Sequence, residues 1–172
     1  MRRNARPVSP LVRLLFAAAL AAMMLPATRA AADDAATCEK ASGAVAIAAC
    51  TQGIASGRYQ GHALAELRYN RGVEYRRTGD AVRAIADYDA AIRLDPNDAC
   101  ALYNRGLAWS DKDDNDRAIA DFSATVRLSP RDARELYALG MAKRQRGDVA
   151  GSAADIAAAK AIKADIAEVF AN

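Results

Sequence analysis

Three cysteines, one histidine and one run of carboxylates are the residues of this 172-residue chain best equipped for chemistry. Cys38 and Cys50 stand 12 positions apart on two alanine-rich runs separated by the turn Ser42-Gly43. A disulfide between them would staple two short helices, and closing so short a loop is worth about 2–3 kcal/mol. The alternative is a pair of free cysteines serving as small buried apolar side chains. Cys100 is left over, either a small buried residue, which is the preferred reading, or a thiol open to mixed disulfides. His62, the single histidine, ends the glycine-punctuated stretch SGRYQGH, read as a solvent-facing loop. It has no partner cluster with which to act as a general base. The run DKDDNDR, residues 111–117, has the alternating oxygens of a calcium loop at Asp111, Asp113 and Asn115. However, Asp116 replaces the sharp-turn glycine and Phe122 the bidentate glutamate. It reads instead as an acidic turn whose Asp114 caps the helix that follows. Two cysteines, a distant third and one histidine do not supply four zinc ligands. No glycine-rich phosphate loop follows a strand. No catalytic residue, metal or cofactor is assigned, and the chain is read as a non-enzyme.

The elements that position these residues are written as a repeat. Tyr69-Asn70-Arg71-Gly72 recurs 34 residues later as Tyr103-Asn104-Arg105-Gly106, and RAIADY at 83–88 recurs as RAIADF at 117–122. A fixed period of this size means stacked supersecondary units. Each unit holds two helical runs. In the first unit Thr78-Gly79-Asp80 separates them, with glycine free to turn left-handed and aspartate able to cap. Ala81, Ala84, Ile85, Tyr88, Ala91 and Ile92 form one stripe on the second run. Pro96 ends it by forcing Asp95 out of the helical region. Gly72 and Gly106 cost about 1 kcal/mol each in mid-helix. That cost predicts close helix–helix contact there, with Ala84 and Ala118 as the facing small residues and the nearby aromatics filling the space beside them.

This layout resembles the tetratricopeptide repeat. The matching residues are Gly72, Tyr75, Ala84, Tyr88, Ala91 and Pro96 in the first copy, and Leu102, Gly106, Trp109, Ala118, Phe122 and Pro130 in the second. Arg68 and Thr125 depart from the pattern. A third, weaker copy keeps Leu136, Gly140, Gly147, Ile156 and Ala159 but has Lys143 for the aromatic, Ser152 for the alanine and Ala164 for the proline. The resemblance implies an all-α, right-handed solenoid of three helix hairpins at 65–98, 99–132 and 133–166 with a short C-terminal cap, together spanning 63–172. A degenerate half-size hairpin and loop at 33–62 precede them. The stretch from Ala153 to Phe170 should run as a helix with few interruptions.

In this family the first helix of each hairpin lines the concave face. The resemblance therefore implies a groove bearing Tyr69, Val73 and Arg76, then Tyr103 and Leu107, then Arg134, Tyr137 and Met141. Tyrosines suit interfaces, though packing against the neighbouring helix is an equal reading for them. Asn104 and Arg134 match two positions of the family's clamp for C-terminal carboxylates. Tyr69, Val73 and Ala138 break the remainder, so binding of a chaperone tail is not expected.

Residues 1–32 read as a signal peptide, with an arginine-rich start, the apolar run LLFAAALAAMML and small residues allowing cleavage after Ala30 or, preferably, Ala32. A retained anchor is the alternative, but the apolar run is short for spanning, which takes about 20 residues. Five of the 24 basic residues and none of the 21 acidic ones lie in this leader, so the remainder carries a net charge of −2 rather than the whole chain's +3. The basic stripe that nucleic acid requires is absent. The expectation is an exported protein, periplasmic or secreted, off the membrane once cleaved, that scaffolds a protein or peptide partner. Self-association within an envelope assembly is the alternative.

Overall fold

The computed structural model describes residues 34–170, so the leader read from the sequence lies outside the described residues. Every regular element described is helical: α1 (34–40), α2 (Gly43–Ala55), α3 (Gly61–Arg77), α4 (Ala81–Leu94), α5 (Ala99–Ser110), α6 (Asn115–Leu128), α7 (Ala133–Arg146), α8 (Val149–Ile162) and α9 (Ile166–Val169). From α2 to α8 each helix packs on the next, and α3 also meets α5, which is the order of a solenoid.

The local signals act as the repeat requires. Asp80, Asp114 and Asp148 each accept a hydrogen bond from the backbone N–H three residues on, at Arg83, Arg117 and Gly151. Gly79 (φ 82°) and Gly147 (φ 93°) take the left-handed turns before these caps. Arg83 and Arg117 then lay their guanidinium groups over Tyr75 and Trp109, 4.3 and 4.5 Å from the ring centroids.

The mid-helix glycines face aromatic rings rather than the alanines expected from the sequence. A Cβ on Gly72 would lie 2.8 Å from Tyr88 Cε1, and one on Gly106 would lie 2.7 Å from Phe122 Cε1. Tyr88 and Phe122 are almost wholly buried, so each bare backbone accepts a flat ring that has no room to move. Ala84 and Ala118 are buried beside them.

An ion pair ties each hairpin together. Arg71 holds Asp87 through two hydrogen bonds of 2.7 and 2.8 Å, and Arg105 holds Asp121 at 2.8 and 2.6 Å, 34 residues on. The fork of guanidinium on carboxylate is what permits both aspartates to be buried. The third hairpin has Leu139 at the arginine position, and there Lys143 takes Asp155 at 2.6 Å. A lysine at the aromatic position thus supplies the partner the lost arginine would have given. The other departures are accommodated as well. Arg68 reaches Asp87 at 3.2 Å, and buried Thr125 donates to the carbonyl of Phe122 at 2.8 Å.

The N-terminal hairpin is closed by a disulfide between Cys38 and Cys50. Both cysteines are buried with Ala49 and Leu67. Glu74 on α3 is bonded by the N–H of Gly43 and by Arg77, tying the start of α2 to the first full repeat.

Two expectations are corrected. His62 is not in a loop; it lies in the first turn of α3, its side chain 78% exposed and 3.3 Å from Glu66. The C-terminal stretch is not one helix. It breaks at Lys163, whose backbone is extended (φ −139°, ψ 105°), and α9 turns back toward α7. Ile166, 2% exposed, anchors that turn against Ala133, Leu136 and Ala159. Phe170 then meets Tyr137 with ring centroids 4.8 Å apart. The first two hairpins fill this level with Tyr88 and Phe122, where the third has only Ile156, so Phe170 supplies the missing ring.

Candidate functional site

The helices α3, α5 and α7 present corresponding residues along one face. Tyr69, Tyr103, Asn104, Leu107 and Arg134 line one cavity of about 460 Å³. Leu107, Tyr137 and Met141 line an adjoining one of about 290 Å³. Leu107 and Phe170 border both, so the two form a single groove with a polar and an apolar half. Of the remaining groove residues read from the sequence, Val73 packs into the Tyr75–Tyr88 core cluster. Arg76 is drawn out of play by Asp111, its Nε donating to Oδ2 at 2.7 Å.

The polar half is preorganised by its own hydrogen bonds. Asn104 Nδ2 donates to the Tyr69 hydroxyl at 3.1 Å and to the Cys100 carbonyl at 2.9 Å. Burial pushes the Tyr69 and Tyr103 phenols up, so both remain neutral at physiological pH. Tyr103 is 8% exposed and its ring packs on Phe122 with centroids 5.5 Å apart, which gives it mainly a structural role. Tyr69 and Tyr137 keep more surface. The Arg134 guanidinium lies over the Tyr103 ring, 5.1 Å from its centroid.

Cys100 is exposed at the rim of the polar half, contrary to the preferred reading of a buried residue. Its position at the second residue of α5 places it on the groove side, ahead of buried Ala101. The sequence reading missed two further groove residues, Val169 and Phe170, because it treated the tail as a helix with few interruptions. An aromatic residue so close to the end of an alanine-rich stretch was the available signal. It also missed Glu135, which is 6% exposed on α7. Its Oε2 has no hydrogen-bond partner among the described residues, and burial pushes its carboxyl up.

Nothing in the groove pairs a nucleophile with a base, and among the described residues no three potential metal ligands cluster. No helix among them is long and apolar enough to cross a membrane. The surface offers shape, hydrogen bonds and one aromatic row, which equips it for recognition.

The helix order and the repeated ring-on-glycine packing define the class: a solenoid of helix hairpins. Residues 72–113 match the family model described as TPR repeat. No curated protein matches the chain. Among solved structures, MamA from Desulfovibrio magneticus RS-1 is similar with a TM-score of 0.65 at 22% identity, over 70% of this chain and 66% of that one. YrrB, described as a TPR protein with an unusual peptide-binding site, gives 0.63 at 19% identity, over 70% and 60%. The second TPR of Spaghetti (RPAP3), solved with an HSP90 peptide, gives 0.56 at 21% identity, over 58% and 92%. The chain spans just under two thirds of the MamA chain. The fold is that of a tetratricopeptide-repeat solenoid.

Proposed function

We propose that the protein is a non-enzymatic interaction scaffold that takes a peptide or a partner's helix in the groove formed by α3, α5 and α7. The observation that carries this reading is the joined pair of cavities, one polar around Asn104 and Arg134, one apolar around Tyr137 and Met141. Small preformed apolar pockets beside a few fixed polar groups are the usual anatomy of a ligand site. Peptides bound by the RPAP3 repeat and described for YrrB support the same use of the fold. Leu107→Lys tests it, since this substitution puts a charge on the wall common to both cavities. It is expected to abolish capture of envelope partners by the full chain, with an unchanged circular dichroism spectrum. Capture at the wild-type level by the folded variant counts against the groove.

The site of action proposed is the cell envelope, periplasmic or secreted. The arginine-led apolar leader supports it, as does the Cys38–Cys50 disulfide, since such bonds persist in oxidising compartments. A second reading, self-association, is favoured by the outer face of α8, where Val149 is 73% exposed among a row of exposed alanines. Concentration-dependent light scattering of the chain separates the two readings.

A further inference from the structure

We infer that the groove selects an extended peptide of mixed charge, with a basic side chain at the Glu66 end and an acidic one at the Arg134 end. This rests on the groove reading above and specifies its ligand. One register position of the first helix, repeated every 34 residues, holds Glu66, Cys100 and Arg134. Three residues further along each helix stand Tyr69, Tyr103 and Tyr137. The tyrosine row is constant, while the row beside it runs from acid through a neutral thiol to base. All three members of that second row are exposed.

The acidic end is reinforced. Glu39, exposed on α1, lines a further cavity of about 420 Å³ together with Glu66 and Tyr69. Tyr69 also lines the cavity that bears Arg134, so one ring borders both the acidic and the basic cavity. At the basic end, no carboxylate lies within ion-pair distance of the Arg134 side chain among the described residues. Asp132, beside it in the chain, accepts from the backbone N–H of Arg134 at 2.8 Å as the cap of α7. Other arginines of the solenoid are committed: Arg71 to Asp87, Arg76 to Asp111, Arg105 to Asp89 and Asp121. Arg134, left without such a partner, and Glu66, whose neighbour at 3.3 Å is the exposed His62, are available to a ligand on the groove wall, and complementarity of this kind sets which partner is accepted. Helices in contact, as α3 and α5 are, lie about 8–10 Å apart, and a second step of that size to α7 separates the ends by roughly 20 Å. An extended chain covers that in about six residues.

The test uses the full chain and three blocked synthetic peptides of about seven residues, each with central leucines. One carries lysine at one terminus and glutamate at the other, one carries lysine at both, and one carries glutamate at both. Fluorescence anisotropy at low salt is expected to show the mixed peptide binding at least fivefold tighter than either of the others. That preference should shrink at high salt as screening grows. Glu66→Lys should move the preference to the glutamate-ended peptide, and Arg134→Glu to the lysine-ended one. Equal affinities for the three peptides, or a preference that neither substitution moves, overturns the inference and leaves the groove reading standing. Failure of all three to bind the folded chain overturns both.

Discussion

At the scale of single residues, the fold tolerates two buried side chains that each leave an oxygen unsatisfied. Tyr88 is fully buried and its hydroxyl has no partner among the described residues, while the equivalent residue one repeat later is Phe122, whose ring sits over Gly106 just as Tyr88 sits over Gly72. Tyr88→Phe keeps the ring and removes an unsatisfied donor, so it should stabilise the chain by about 1 kcal/mol in urea unfolding. Destabilisation would mean that the hydroxyl has a partner in solution. Glu135 is the second case. Burial raises its carboxyl in the folded state, so its contribution to stability is fully present below the unfolded carboxylate pKa and is lost as pH rises through the folded one. Glu135→Gln should therefore unfold at higher temperature than the wild type at pH 7. The gap should narrow as pH falls toward the range where the wild-type carboxyl is protonated. A gap independent of pH contradicts this account.

At the scale of elements, the repeat was legible because its parts are local. Caps at Asp80 and Asp114, the left-handed Gly79 and the Cys38–Cys50 staple each depend on residues close in sequence. What escaped depends on contacts the period does not encode. The partner of Gly72 was expected at Ala84 because small residues suggest one another, yet the flat face of Tyr88 fits the bare backbone better. The turn of α9 was missed because helix propensity in an alanine-rich run outweighs a tertiary gain that only Ile166 and Phe170 reveal. The groove itself was legible only through the family resemblance, which named the lining helices. The split of its residues between ligand-facing and core roles, such as Tyr69 against Tyr103, needed the packing. Because solenoid units contact only their neighbours, damage should stay local. Replacing Cys38 and Cys50 by serine should cost about 2–3 kcal/mol, with hydrogen-exchange protection lost in α1 and α2 and kept in α5 to α8. Uniform loss across all helices would show that the chain unfolds as one unit.

At the scale of the whole molecule, three hairpins and a stapled half-hairpin hold one face of first helices in register, and the C-terminal turn walls off its far end. Recognition in this account belongs to that face, and its most direct test uses the chain's single unpaired cysteine. Cys100 lies exposed at the groove rim, and the other two cysteines are bridged. A photo-crosslinker attached to Cys100 of the full chain should capture a peptide selected for binding from a random library. The same reagent attached through Ala120→Cys, on the exposed side of α6 and with Cys100 changed to serine, should not. Crosslinking from the α6 position, with none from Cys100, would contradict the groove as the site of recognition.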